Sequence, residues 1–283
     1  MNNKKLIVVV IFIFILIVPC FSKEFFPDIR PGKGVTDFKW LSDYFSGIKE
    51  TNVDTPIYIM SGEATGATFL LMGGTHPGEL AGTVAAISFI ENAVVKVGKV
   101  IVIPYSNLSA ASIADLTGKV SHFLPIQTKS GKRYLVFGDR RTDINDEEIE
   151  DPEVFVHPSG TTEYKGNESR NLNRNYPGEE NGTLTSKLAF AIINLINEEN
   201  VDFNLDMHES RTPEEYKKSN SDYNLSYSLV CNPKALEMGI LAMLNLEMET
   251  GINVKLEESA KNSRGLSHLE IGNYTNSLSF LSE

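Results

Sequence analysis

Cysteine is nearly missing from this chain: Cys20 and Cys231 are the two among 283 residues. No disulfide-stapled fold is built from that number, and if Cys20 leaves with an N-terminal leader no intramolecular disulfide remains. Cys231 lies in the apolar run 227–231 and reads as a buried small hydrophobe rather than a nucleophile. Positive charge is also short, with 26 Lys and Arg against 37 Asp and Glu and a formal charge of −11. An acidic chain without a Lys/Arg stripe argues against a nucleic-acid partner. No GxSxG elbow, HExxH helix, GxGxxG turn or P-loop occurs. Those absences disfavour a serine hydrolase, a thermolysin-like protease and a nucleotide-binding protein.

What is present is ordinary for a globular protein: 41% hydrophobic and 22% charged residues, enough for a substantial core. Residues 1–22 differ from the rest. Lys4 and Lys5 precede the apolar run 6–18, and Cys20 and Ser22 offer small residues before Lys23. That is the layout of a signal peptide, too short for a membrane span of about 20 residues. It predicts a secreted or periplasmic protein, with no membrane contact beyond an N-terminal anchor should the leader stay uncleaved or Cys20 be lipidated. Removing two lysines takes the mature charge from −11 to −13. With no internal repeat and no compositional break, residues 23–283 read as a single domain.

The informative stretch is 70–82, LLMGGTHPGELAG. An apolar strand runs into Gly73–Gly74, His76 follows, and Glu79 stands three residues on at the start of an apolar helix, 79–97. An imidazole and a carboxylate on one turn suit Zn²⁺, and a catalytic zinc site needs one more protein ligand and an open position. Around this stretch the pattern predicts a short helix over 38–48 and a hairpin of strands 56–60 and 67–72. Further strands are predicted over 99–104, 201–207, 227–231, 252–256 and 277–282, with helices over 185–199 and 233–250. Strand, helix and strand in succession indicate right-handed crossovers and a mostly parallel sheet. Residues 118–166 read as an irregular excursion, and its acidic run 143–153 as a solvated face.

The third ligand is sought at strand ends, where ligands gather in open α/β sheets. His208 follows the strand 201–207, and Asp206 precedes it by two residues. His122, His157 and His268 read as surface residues. Between the two candidate histidine sites lies 168–178, ESRNLNRNYPG. Its arginines offer forked donors for a carboxylate and its asparagines further donors, although turn chemistry alone accounts for the segment equally well.

The motifs HPGE (76–79), LNRNYPG (172–178), DMHE (206–209) and the terminal SFLSE (279–283) occur in the order found in zinc carboxypeptidases. The pattern resembles most the succinylglutamate desuccinylase/aspartoacylase branch. The resemblance spans residues 68–283 and implies an α/β fold with a mixed, mostly parallel sheet flanked by helices. It also implies one Zn²⁺ per chain on His76, Glu79 and His208, and a substrate carboxylate held by Asn173 and Arg174. Glu283 matches the glutamate that activates the metal-bound water. Two departures stand out. Ser109, within NLSA, occupies the place of the family's carbonyl-polarising arginine, so the role passes to Arg170, the candidate named here, or to Arg140 or Arg141, or is vacant. Asn171 stands where the branch has Asp. The branch also continues into a C-terminal β domain beyond the matched glutamate, which reads as a truncated product. The expected substrate is a small N-acyl amino acid or a peptide C-terminus. A catalytically inactive carboxylate-binding protein on the same fold is the alternative.

Overall fold

Alternation along the central strands sets the layers. The computed structural model describes residues 27–113, 123–128, 131–147, 149–218, 224–260 and 262–283, so the leader and His122 lie outside the described residues. In chain order the first elements are β1 (Asp37–Trp40), β2 (Pro56–Ser61), β3 (Ala64–Met72), α1 (Leu80–Asn92), β4 (Val97–Ile103) and α2 (Leu108–Ser112). Two small hairpins follow, β5 (Phe123–Thr128) with β6 (Gly131–Val136) and β7 (Val154–Val156) with β8 (Glu163–Lys165). Then come α3 (Leu184–Glu198), β9 (Phe203–Met207), α4 (Pro213–Lys218), β10 (Ser228–Cys231), α5 (Leu236–Thr250), β11 (Lys255–Glu258), α6 (Ser267–Tyr274) and β12 (Leu278–Ser282). Among the described residues no helix is long and apolar enough to cross a membrane.

Eight strands form one sheet in the order β1-β2-β4-β3-β9-β12-β10-β11. Its centre is parallel: β4, β3, β9 and β12 run together, while β2 and β10 are antiparallel to their neighbours β4 and β12. Ile57, Ile59, Leu70, Met72, Ile101 and Ile103 turn to one face, where α3 packs with Leu188, Ile192 and Leu195. Tyr58, Met60, Leu71 and Val102 turn to the other face, against Ala86 and Ile90 of α1. Period-two side chains buried on both sides make these strands near-continuous apolar runs, as parallel strands covered by helices require.

Several expectations need correction. Strands β2 and β3 are not a hairpin, because β4 lies between them and pairs with both. A short turn permits a hairpin but does not exclude a later strand from the gap. The first helix stops at Asn92, since Val97 is already committed to β4. Residues 38–48 form β1 and two 3-10 turns instead of a helix. The excursion 118–166 contains the two hairpins. Its acidic run is only partly solvated: Glu147 is buried and accepts the α3 N-terminal N–H groups of Leu184 (3.0 Å) and Thr185 (2.9 Å). A carboxylate at a helix N-terminus satisfies donors that the helix cannot.

Candidate metal and active site

Register decides which residues meet. Met72 of β3 pairs with Asp206 of β9, and Met207 of β9 pairs with Ser282 of β12. The segments leaving these three parallel neighbours carry His76, His208 and Glu283 respectively, so all three emerge at the same end of the sheet. Two glycines allow the approach. Gly74 adopts φ +62°, which turns the chain after β3. At Gly82 a Cβ would lie 2.1 Å from the Met207 carbonyl oxygen, so only glycine lets the first turn of α1 rest on the end of β9. Glu79 is thereby brought beside His208.

The Glu79 carboxylate bridges the two imidazoles. His76 Nδ1 lies 2.8 Å from Oε1 and His208 Nδ1 2.7 Å from Oε2. The rings sit edge to face, 4.7 Å between centroids. One ligand atom from each of His76, Glu79 and His208 lies within 4.8 Å of the others, an arrangement able to hold a metal ion. The far ring nitrogens are anchored too. His208 Nε2 is 3.0 Å from Asp206, which is fully buried and also accepts from Thr75 Oγ1 (2.7 Å) and Ser267 Oγ (2.5 Å). His76 Nε2 is 2.9 Å from Asn171 Oδ1, and Asn171 in turn donates to Glu168 at 2.6 Å. Such partners fix tautomer and ring orientation in histidine metal sites. The donor set of two imidazoles and one carboxylate, each oriented from behind, fits zinc.

Electrostatics follow from this packing. Burial opposes ionisation of Glu79, but the bonds from His208 and His76 hold it well below the usual carboxylate range. Burial lowers His208, yet the carboxylates of Asp206 and Glu79 outweigh it and push the ring up to about 10. His76, with a neutral amide behind it, is lowered by burial. Glu283 has its backbone locked to Ser228 by a 2.9 Å bond, and burial pushes its carboxyl up to about 7.

A cavity of about 660 Å³ opens over the group, lined by His76, Glu79, His208 and Glu283 together with Asn173, Arg174 and Arg140. Arg174 stacks on the Tyr164 ring at 5.1 Å and donates to the Asn173 carbonyl at 2.5 Å, while its buried Nε has no hydrogen-bond partner among the described residues. Burial and the neighbouring Arg140 charge lower its pKa, so an anion bound here would relieve both penalties. Asn173 is held by Ser267 N–H donating to its Oδ1 at 2.8 Å.

The expectation for Arg170 is corrected. Its guanidinium is spent on Asp151 (2.7 and 3.0 Å) and on the Thr142 carbonyl (2.5 Å), and it does not line the cavity. Arg141 is paired with Glu168 at 2.5 Å. Arg140 instead reaches the site, 3.5 Å from Glu79 Oε1. Ser109 donates to Asp146 at 2.5 Å and faces away from this chemistry. His157 and His268 are buried, not on the surface. His157 is fixed by Ser159 and the Tyr176 carbonyl, while His268 lines the cavity, bonds Ser259 at 2.9 Å and is pushed down to about 4 by burial. The supporting roles of Thr75, Asn171 and Ser267 carry no spacing signal, because short polar residues in turns read as turn chemistry.

No family model matches the chain, and no curated protein matches it by sequence. Solved structures do. A succinylglutamate desuccinylase/aspartoacylase from Rhodobacter sphaeroides is 19% identical over 81% of this chain and 51% of its own, with a TM-score of 0.47. A metallo-carboxypeptidase from Burkholderia cenocepacia is 10% identical over 85% of this chain and 57% of its own, TM-score 0.44. A murein-tripeptide amidase from Escherichia coli O157 is 10% identical over 90% of this chain and 83% of its own, TM-score 0.41. The chain spans about half the length of the desuccinylase structures it matches. It is thus similar to solved structures named for the same desuccinylase/aspartoacylase and carboxypeptidase proteins that its four motifs resemble.

Proposed function

We propose that this chain is a zinc-dependent hydrolase that cleaves an amide or ester bond next to a carboxylate, outside the cytoplasm. The substrate class is an N-acyl amino acid or a peptide C-terminus. The observation that carries the reading is the meeting, in one cavity, of the His76–Glu79–His208 group, a half-buried carboxyl at Glu283 and three arginines, Arg140, Arg174 and Arg211. His76, Glu79 and His208 would hold the metal, which when bound supplies Lewis acidity and an acidified water. Asp206 and Asn171 keep the two imidazoles in the tautomer that offers Nδ1 to it. Arg174 and Asn173 bind the substrate carboxylate. Arg140, beside Glu79 at 3.5 Å and facing the cavity, stabilises the negative charge that develops on the scissile carbonyl oxygen. Glu283 takes a proton from the attacking water and returns it to the leaving nitrogen. A carboxyl poised near pH 7 suits both transfers.

Glu283→Gln tests the assignment. Turnover of N-acyl amino acids should fall by a factor on the order of 10²–10⁴, the usual contribution of a general base. Zinc content by elemental analysis should stay unchanged. Wild-type protein that retains zinc and binds such ligands without turning any of them over would support the inactive, ligand-binding alternative instead.

A further inference from the structure

The side of the sheet farthest from β1 ends in β11, and among the described residues β11 pairs with β10 alone. The N–H of Lys255 donates to Tyr227 and that of Ser259 to Cys231, so residues 255, 257 and 259 spend their backbone groups inward. In a parallel ladder the alternate residues then point outward, so Leu256 and Glu258 present N–H and C=O to the open edge. Above this edge lies α5, in which Gly239 alone is buried. Ile240, Leu241, Leu244 and Met248 are exposed, Met248 by 83%. Their spacing puts them on one helical stripe. Glu247, on the flank beside Ile240 and Leu244, accepts from Val254 N–H at 3.0 Å just ahead of β11. That flank is therefore turned towards the free edge. Leu256 points to the same face, since a Cβ on Gly239 would meet its Cδ1 at 3.0 Å.

We propose that two copies of this chain associate about a two-fold axis through β11, continuing the sheet from one copy into the other. The outward-pointing residues restrict the register. An antiparallel pair exchanges hydrogen bonds only between residues that both point outward, so the axis passes through one of the residues of β11 and not between two of them. At Lys255, Glu257 or Glu258 it would set like charges directly opposite, which is destabilising. At Leu256 it sets Lys255 of each copy against Glu257 of the other, twice by symmetry, and brings the two leucines together beneath the paired α5 stripes. Short charged edge strands usually deter pairing, but KLEE in this register is complementary to itself. An isologous interface of this kind requires such self-complementarity. Lys255 Nζ donates to the Asn224 carbonyl (2.9 Å) in the single chain, an exposed contact that it would exchange for the carboxylate. Because Glu257 also lines the active-site cavity, the second copy's Lys255 would border the substrate site.

Sedimentation velocity on the full chain, in nonionic detergent and across a concentration series, tests the interface. The wild type should sediment as two chains. Glu257→Lys sets lysines opposite each other and should weaken dimerisation by at least roughly tenfold. Adding Lys255→Glu to that variant restores complementarity and should recover the dimer. A monomer at all concentrations, including one that instead binds phosphatidylglycerol vesicles, would overturn the proposal. So would a dimer indifferent to Glu257→Lys, or a double variant as weak as the single one with circular dichroism unchanged.

Discussion

His208 and Glu199 bracket β9, and each belongs to a cluster of charge, largely buried at the first and half-buried at the second. At the Glu199 end the carboxylate takes Lys39 (2.8 Å), Lys99 (2.6 Å) and Tyr44 (2.5 Å), and every partner in the cluster is matched. At the His208 end the carboxylates of Glu79 and Asp206 are equally well held, yet the same cavity keeps donor atoms whose hydrogen bonds are not all made. Arg174 Nε, 3.8 Å from Glu168, and His268 Nδ1 are buried without a hydrogen bond among the described residues, and the Glu283 carboxyl is raised. A closed cluster stabilises a fold. An open one, where arginines repel and a carboxyl is desolvated, is poised for a ligand that completes it. Substitutions at the first end should therefore alter stability alone, and those at the second should alter binding and turnover.

The largest expected effect lies at the open end. His208→Ala removes one of the three proposed protein ligands, and with no redundancy the zinc content of dialysed protein should drop from stoichiometric towards none. Zinc retained at full stoichiometry would dissolve the contrast, because the cluster would then be another closed ion-pair network.

Asp206→Asn probes the same end one contact further back. The amide can keep its oxygen on His208 and Ser267 while its nitrogen donates to a reoriented Thr75 hydroxyl, so the shape is preserved while the charge behind the imidazole is lost. Metal affinity, measured by competition with a chelator, should weaken about 10–100-fold, as for other partners of metal-bound histidines. An unchanged affinity would mean that Asp206 serves packing only.

The open end was the more legible of the two in the amino-acid sequence. His76, Glu79 and His208 declare themselves because metal chemistry restricts residue type and because each stands just past an apolar run that reads as a strand. Glu283, at the end of β12, is legible only through the SFLSE resemblance. Neither the order of strands nor the helper residues could be read this way. Local pattern identifies β2, β3 and β4 as strands but carries no term for which of them are neighbours, so the pairing of β4 between the other two emerges only from the packed sheet. The choice among arginines fails similarly. Arg140, Arg141 and Arg170 are alike in sequence, and only the positions of Asp151 and Glu168 decide that Arg170 and Arg141 are consumed while Arg140 is free to face the cavity. Glu199 was invisible because Lys39 and Lys99 lie 160 and 100 residues away from it.

The smallest expected effect belongs to the closed end. The bonds from Lys39, Lys99 and Tyr44 outweigh burial and bring Glu199 from its ordinary value of 4.5 down to about 2. A carboxyl lowered in the folded state contributes stability that is complete above its unfolded pKa and is lost as pH falls through the folded one. Glu199→Gln should therefore cost about 1–2 kcal/mol in urea unfolding at pH 7, the shift being discounted for partial solvent screening. Between pH 4.5 and about 2 the wild type protonates this group and the difference from the variant should shrink towards zero. Comparing the two proteins at each pH cancels the other carboxyls that titrate over the same range. Zinc content and turnover at pH 7 should be the same in both, because the cluster has no open member to offer a ligand. A stability difference that stayed constant down to pH 2.5 would show that Glu199 acts through shape and not charge, and a loss of zinc would show that the two ends of β9 are coupled.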